Sequence, residues 1–251
     1  MQEPAISLVI EWLKEVRDSR QETPRASRAA LLRISDLEFA PASSPAQDKA
    51  AALAEIRERV SACIKCPHLA RSRTQTVFGV GNPDADLMFV GEAPGADEDR
   101  QGEPFVGRAG QLLTRIIETM GLTRADVYIA NILKCRPDMP NGMAGNRPPT
   151  PTEMATCIGY LIEQIHIIEP KVIVALGATA VEGLLGARGA MRGLRGHWRS
   201  FRETPLMITY HPSYLLRNQA PSERRKVWED MLAVMERLDY PISEKQRDYF
   251  C

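Results

Sequence analysis

The sequence predicts an α/β fold with a parallel sheet covered by helices on both faces. Four short runs carry this prediction: 87–90, 127–132, 172–176 and 206–210 are almost wholly apolar. Continuous apolar runs of this length suit strands buried on both faces. Helical patterns separate the runs and follow the last one, and such alternation means parallel pairing through crossovers. The elements come in order. Residues 6–18 set Ile6, Val9, Ile10, Leu13 and Val16 on one face and Glu11, Lys14, Glu15 and Asp18 opposite, which is a short amphipathic helix. Residues 21–46 carry Pro24, Pro41, Pro45 and the pair Ser43-Ser44, and read as a linker with one helical turn. A helix over 51–60 has Leu53, Ile56 and Val60 on one stripe. After the first strand, Leu112, Leu113, Ile116 and Ile117 mark a helix over 109–120. After the second, Thr150-Pro151-Thr152 introduces a helix that runs to Ile168, since proline suits a first helical turn. Gly177 ends the third strand and a short helix covers 178–185. A helix over 222–238 follows the fourth. The chain divides into an N-terminal helix and linker (1–46), one large domain (47–240) and a C-terminal tail (241–251).

Composition narrows the classes of function. The 251 residues are 44% hydrophobic and 25% charged, as in an ordinary soluble domain. Lys+Arg and Asp+Glu are both 32, so no overall field draws the chain to nucleic acid, and any basic surface is local. No apolar run approaches the roughly 20 residues of a membrane span. The N-terminus has an early Glu3 and does not read as a signal peptide. The expectation is a cytoplasmic monomer with no membrane contact. Five cysteines without an export signal point to reduced, metal-binding thiols rather than a disulfide framework.

In open parallel sheets, ligands sit beyond the carboxyl ends of the strands. The segments there are chemically rich. After the first strand come Gly91-Glu92-Ala93-Pro94-Gly95, Glu98 and the stretch 102–110 with Phe105. After the second comes Asn131, after the third Gly177-Ala178-Thr179-Ala180, and after the fourth His211-Pro212-Ser213. Singly, Glu92 reads as a solvated loop charge and His211 as a helix cap; their shared position after successive strands makes them a candidate site. Cys63 and Cys66 form a C-x2-C pair, Cys135 follows 69 residues later and Cys157 another 22. Four thiolates suit tetrahedral zinc or an iron–sulfur cluster, and metal-free buried cysteines are the plainer alternative. Cys251, the last residue, reads as a free thiol. Between Arg188 and Arg202 lie five arginines, including Arg192, Arg195 and Arg199, with His197, Trp198 and Phe201 and no acid. That composition fits a surface that tracks phosphates, with a solvated loop as the alternative.

Together, Gly91-Glu92-Ala93-Pro94-Gly95, the 102–110 stretch, Asn131, the four-cysteine spacing and His211-Pro212-Ser213 resemble the family 4 uracil-DNA glycosylases. The resemblance covers about 61–238. It implies a three-layer α/β/α sandwich with a four-stranded parallel sheet. It implies a [4Fe–4S] cluster on Cys63, Cys66, Cys135 and Cys157. The implied partner is uracil-containing DNA, single- or double-stranded, from which uracil is hydrolysed to leave an abasic site in base excision repair. The base must first be flipped out of the stack. By resemblance, Phe105 stacks on the flipped uracil, Asn131 reads its edge and His211 stabilises the departing anion. Glu92 lies in the loop that holds the attacking water; Glu92 or Glu98 orients that water, or the substrate's own phosphates stabilise the cation, with Glu92 favoured for catalysis and Glu98 for shaping the pocket. Many relatives in other families have an aspartate where this chain has Ala93, so a direct carboxylate base is missing there. The 211–217 segment resembles a loop that enters the minor groove, with Leu215 or Leu216 as the wedge and Arg217 on a phosphate. Residues 95–99 are short, acidic and lack histidine, unlike the branch that traps uracil covalently, so turnover is expected. The loop 138–145 is long for the family. A non-catalytic DNA-binding protein with a structural iron–sulfur or zinc site is the alternative from another class; a small-nucleoside hydrolase is a third, against which the basic stretch and the wedge count.

Overall fold

A helix, α1 (Pro45–Ser61), opens the computed structural model, which describes residues 45–139, 143 and 145–250. The amphipathic N-terminal helix, most of the linker and Cys251 lie outside the described residues. Leu53, Ile56 and Val60 are the buried stripe of α1, spaced for one helical face. Then come α2 (Pro67–Ser72), β1 (Val80–Gly81), β2 (Leu87–Gly91), α3 (Ala96–Gln101), α4 (Arg108–Thr119) and β3 (Tyr128–Asn131). The second half contains α5 (Pro151–Ile168), β4 (Val172–Leu176), α6 (Ala178–Leu185), α7 (Met191–Leu194), β5 (Trp198–Phe201) and β6 (Thr204–Thr209). It closes with α8 (Pro212–Arg217), α9 (Pro221–Arg237) and α10 (Glu244–Arg247).

Among the described residues the sheet has six strands in the order β1-β3-β2-β4-β6-β5. The four expected strands are its centre, β3-β2-β4-β6, and all their pairings are parallel. The expected four-stranded, all-parallel sheet is therefore corrected to a mixed one. β1 joins β3 antiparallel, and β5 joins β6 antiparallel through the two-residue turn Arg202-Glu203. Both additions are edge strands. β1 is two residues long, and β5 carries exposed Arg199 and Ser200, so neither shows the apolar run that marks the centre.

Side chains of the central strands alternate between two cores, as the period of two requires. Met88, Val90, Ala130, Ile173, Ala175 and Ile208 face the core shared with α1, α5 and α6. Leu87, Phe89, Ile129, Val172, Val174 and Met207 face the core shared with α4 and α9. This is the expected three-layer arrangement. α5 starts on a capping box: Thr150 Oγ1 accepts from Glu153 N at 3.2 Å and Glu153 Oε2 accepts from Thr150 N at 2.7 Å. Residues 241–250, set apart by sequence as a tail, lie against the body: Gln246 Nε2 donates to Thr119 O at 2.7 Å, and Trp228 Nε1 donates to Gln246 O. β3 lies on one side of β2 and β4 on the other, which opens a crevice at the carboxyl ends of the strands.

Candidate active site

The crevice holds a cavity of about 500 Å³. Glu92, Ala93, Glu98, Phe105, Asn131, His211 and Arg217 all line it, so the structure brings together the site residues expected after successive strands. A Cβ on Gly91 would meet Asn131 Oδ1 and Phe105 Cζ, each at 2.4 Å, so only glycine lets the amide and the ring approach this closely. Phe105 is buried and adopts a left-handed backbone, φ 55°. Arg124 holds that turn by donating to Phe105 O at 3.2 Å and to Pro104 O at 2.7 Å. Gly110 on α4 packs so closely under the turn that a Cβ there would lie 1.9 Å from the Phe105 carbonyl. The Phe105 and His211 rings are 5.6 Å apart between centroids.

Asn131 closes β3 and is almost fully buried, yet its Oδ1 has no hydrogen-bond partner among the described residues. A buried unpaired acceptor is costly and needs an explanation, and a ligand donor supplies one. Behind it, the fully buried Lys134 donates to Asn131 O at 3.1 Å and to Gln164 Oε1 at 2.5 Å, which fixes the end of the strand. Burial lowers the Lys134 ammonium to about 7.

His211 caps α8. Its Nδ1 accepts from Ser213 N at 3.1 Å and lies 2.8 Å from Ser213 Oγ. Burial, helped by the positive charge of Arg217, pulls the ring down to about 4, so it is neutral at pH 7. With Nδ1 accepting, the single ring proton sits on Nε2. The two glutamates differ. Glu98 Oε1 accepts from Val106 N and Gly107 N, both at 3.0 Å, and its Oε2 accepts from Gly95 N at 3.1 Å. It staples two loops, and both oxygens are committed. Glu92 accepts one hydrogen bond among the described residues, from Thr179 Oγ1 to Oε2 at 2.6 Å. Burial raises its carboxyl above the usual range, and the Thr179 bond opposes that rise.

Residues 78–232 match the family described as the uracil DNA glycosylase superfamily. The chain belongs to the uracil-DNA glycosylase superfamily. A Type-4 uracil-DNA glycosylase of Thermotoga maritima is 48% identical over 180 residues, which cover 70% of this chain and 89% of that one. One from Sulfurisphaera tokodaii is 40% identical over 215 residues, 78% of this chain and 93% of the relative. A Type-5 uracil-DNA glycosylase of Thermus thermophilus is 29% identical over 196 residues, 62% of this chain and 84% of the relative.

Several lining residues of this superfamily member were not singled out by sequence. Thr179, Asn146, Arg147 and Ser213 all line the cavity. Thr179 and Ser213 stand inside strand-end segments that sequence marks, so position was a signal but the side-chain role was not. Asn146 and Arg147 directly follow the 138–145 loop. Arg147 anchors it by donating to Asp138 Oδ1 at 2.8 Å and to both oxygens of Glu153, at 2.7 and 2.9 Å. His68 Nε2 lies 2.7 Å from the same Glu153.

The residues expected on DNA are not all brought to the cavity. Arg217 lines it; Arg192, Arg195 and Arg199 do not. Arg192 and Arg199 are exposed. Arg195 is not free to track phosphates: it pairs with buried Asp230 and also donates to Lys226 O. Leu215 is buried with Tyr210 and Val227, whereas Leu216 is partly exposed.

A second site lies at a smaller cavity lined by Cys63, Cys66, Cys135 and Cys157, all free thiols. Arg73 Nη1 donates to Cys135 Sγ at 3.1 Å, and Lys134 N donates to Cys157 Sγ at 3.3 Å. Burial pushes the thiols of Cys66, Cys135 and Cys157 up, Cys157 to about 11. Four sulfurs with N–H donors on two of them fit a thiophilic metal centre, in which the metal holds the thiolate forms that burial disfavours.

Proposed function

We infer that this chain is a uracil-DNA glycosylase of base excision repair. It hydrolyses the bond between uracil and deoxyribose in single- and double-stranded DNA, releases uracil and leaves an abasic site. The observation that carries the reading is the buried Asn131 Oδ1, without a partner among the described residues, beside the Phe105 ring in the cavity. Uracil presents N3–H and O4 on one edge. Asn131 Oδ1 accepts from N3–H and its amide donates to O4, while Phe105 stacks on the ring. Cytosine presents a bare N3 and an amino group there, so both contacts fail, and losing paired buried contacts discriminates strongly. Stacking is worth about 1–3 kcal/mol and does not depend on base identity.

In the reaction the C1′–N1 bond breaks and its electron pair leaves with uracil as the N1 anion. Neutral His211 donates Nε2–H to O2, where negative charge develops. Preorganised donors of this kind commonly supply about 3–4 kcal/mol. Water attacks C1′, and its proton leaves through the Glu92 carboxylate to solvent. Glu92 Oε1 accepts no hydrogen bond among the described residues, which supports Glu92 rather than Glu98 in this role. Ala93 supplies no carboxylate. Arg217 meets a phosphate and Leu216 fills the space left by the flipped nucleotide.

Cys63, Cys66, Cys135 and Cys157 would hold a [4Fe–4S] cluster, which would supply a structural tie between their segments.

Single-turnover cleavage of labelled oligonucleotides carrying U, T, C or hypoxanthine tests the reading. Cleavage is expected at U alone, with about four irons per chain, and a loss of at least ~100-fold in Asn131→Ala. No cleavage with intact DNA binding turns the chain into a non-catalytic binder. Stoichiometric zinc replaces the cluster.

A further inference from the structure

We propose that Thr179 is a positioning residue that holds the Glu92 carboxylate with one oxygen aimed at the attacking water. The inference rests on the reading of Glu92 given above. Glu92 follows β2 and Thr179 lies in the first turn of α6, which follows β4, the strand paired beside β2. The 2.6 Å bond from Thr179 Oγ1 to Glu92 Oε2 therefore bridges the crevice between two neighbouring strand ends. A carboxylate rotates about its last torsion with little resistance. Here one oxygen is tied to the hydroxyl, so the other has a fixed direction inside the cavity. Main-chain bonds set both ends of the bridge. Glu92 O accepts from Leu133 N at 3.1 Å, and Val181 N donates to Gly177 O at 3.2 Å to start the helix. Gly177, at φ 90°, makes the turn that brings Thr179 inward, and a Cβ there would press on His211 Cβ at 2.9 Å.

The hydroxyl has a second effect on the same group. Burial raises the Glu92 carboxyl, and the Thr179 bond opposes the rise and keeps more of it ionised. The other titratable groups lining the cavity are Glu98 from α3, Arg147 from the loop before α5, His211 after β6 and Arg217 from α8. None of them hydrogen-bonds Glu92 among the described residues. Thr179 is thus the direct polar contact through which the protein controls this carboxylate.

Thr179→Val keeps the shape and removes the hydroxyl, and Thr179→Ser keeps the hydroxyl. Single-turnover rates at saturating uracil-DNA, measured from pH 5 to 9, read the outcome. Thr179→Val is expected to slow the maximal rate about 10- to 100-fold, the range for a lost hydrogen bond to a charged group. DNA half-saturation stays unchanged. The acid limb of its profile moves to higher pH, because the carboxyl, no longer held down, binds its proton more readily. Thr179→Ser restores rate and profile. In a Glu92→Gln background, Thr179→Val should add no further loss. A Thr179→Val enzyme with wild-type rate and profile, beside a crippled Glu92→Gln, overturns the positioning role and leaves Glu92 intact. A fully active Glu92→Gln overturns the reading of Glu92 and the proposal with it.

Discussion

Asn131 is buried and His211 half-buried, and among the described residues their contacts leave polar atoms uncommitted, the buried Oδ1 acceptor on the first and Nε2–H on the second. The histidine makes a consequence measurable in pH. Its ring is held at about 4, below the ordinary 6.5, so the fold favours the neutral form. That contribution is complete above about pH 6.5 and is lost as pH falls toward 4. Glu153 acts further down. Against the upward pull of burial, hydrogen bonds from Arg147 and His68 hold it at about 2, below its ordinary 4.5. Its contribution is present above about 4.5 and lost as pH falls toward 2. Thermal unfolding followed from pH 7.5 to 2.5 should show a decline beginning near 6.5, and His211→Asn should remove the part between 6.5 and 4. Glu92, Phe105, Asn131 and His211 were legible as cavity residues because each lies at or beyond the carboxyl end of a strand that the apolar pattern marks. Thr179 was not, because its hydroxyl meets a residue 87 positions earlier, and nothing local announces such a pairing.

Elements differ in legibility for a related reason. The four central strands and α1, α4, α5, α6 and α9 announce themselves through what they bury. β1 and β5 bury little, so their residues read as loop. The arginine stretch read as one basic surface, but it folds into α7 and the edge strand β5, and its members separate. Arg188 pairs with Glu182, and Arg195 turns inward to Asp230, which also accepts from Thr209 Oγ1 at 2.6 Å. Charge counted along a chain does not reveal a partner 35 residues away on α9. Removing Arg195 takes the paired cation from the buried Asp230 and leaves it the Thr209 hydrogen bond. Arg195→Ala should therefore destabilise the protein by about 3–5 kcal/mol. Arg192→Ala and Arg199→Ala, on exposed side chains, should stay within about 0.5 kcal/mol. Urea unfolding of the three variants separates the buried cation from the surface ones.

At the scale of the molecule, four cysteines connect segments that are distant in sequence. Cys63 and Cys66 stand between α1 and α2, Cys135 follows β3, and Cys157 lies within α5. A metal centre on all four would close long loops and add its binding free energy to folding. Cys135→Ser should lower the unfolding temperature by more than about 10 °C, since such centres contribute several kcal/mol and each kcal/mol shifts a domain of this size by roughly 2–4 °C. It should also make the 62–73 segment the first site of proteolysis, which limited digestion with mass spectrometry reads directly. The spacing of the cysteines was legible; the Arg73 and Lys134 donors to their sulfurs were not, because folding alone brings them there.

The two outer strands bear on how the molecule lives among its own copies. β1 offers two residues, and β5 turns Arg199 outward along the opposite border. A neighbouring chain seeking a ladder of free amides finds a stub on one side and a cation on the other. Both borders thus disfavour the addition of a further strand.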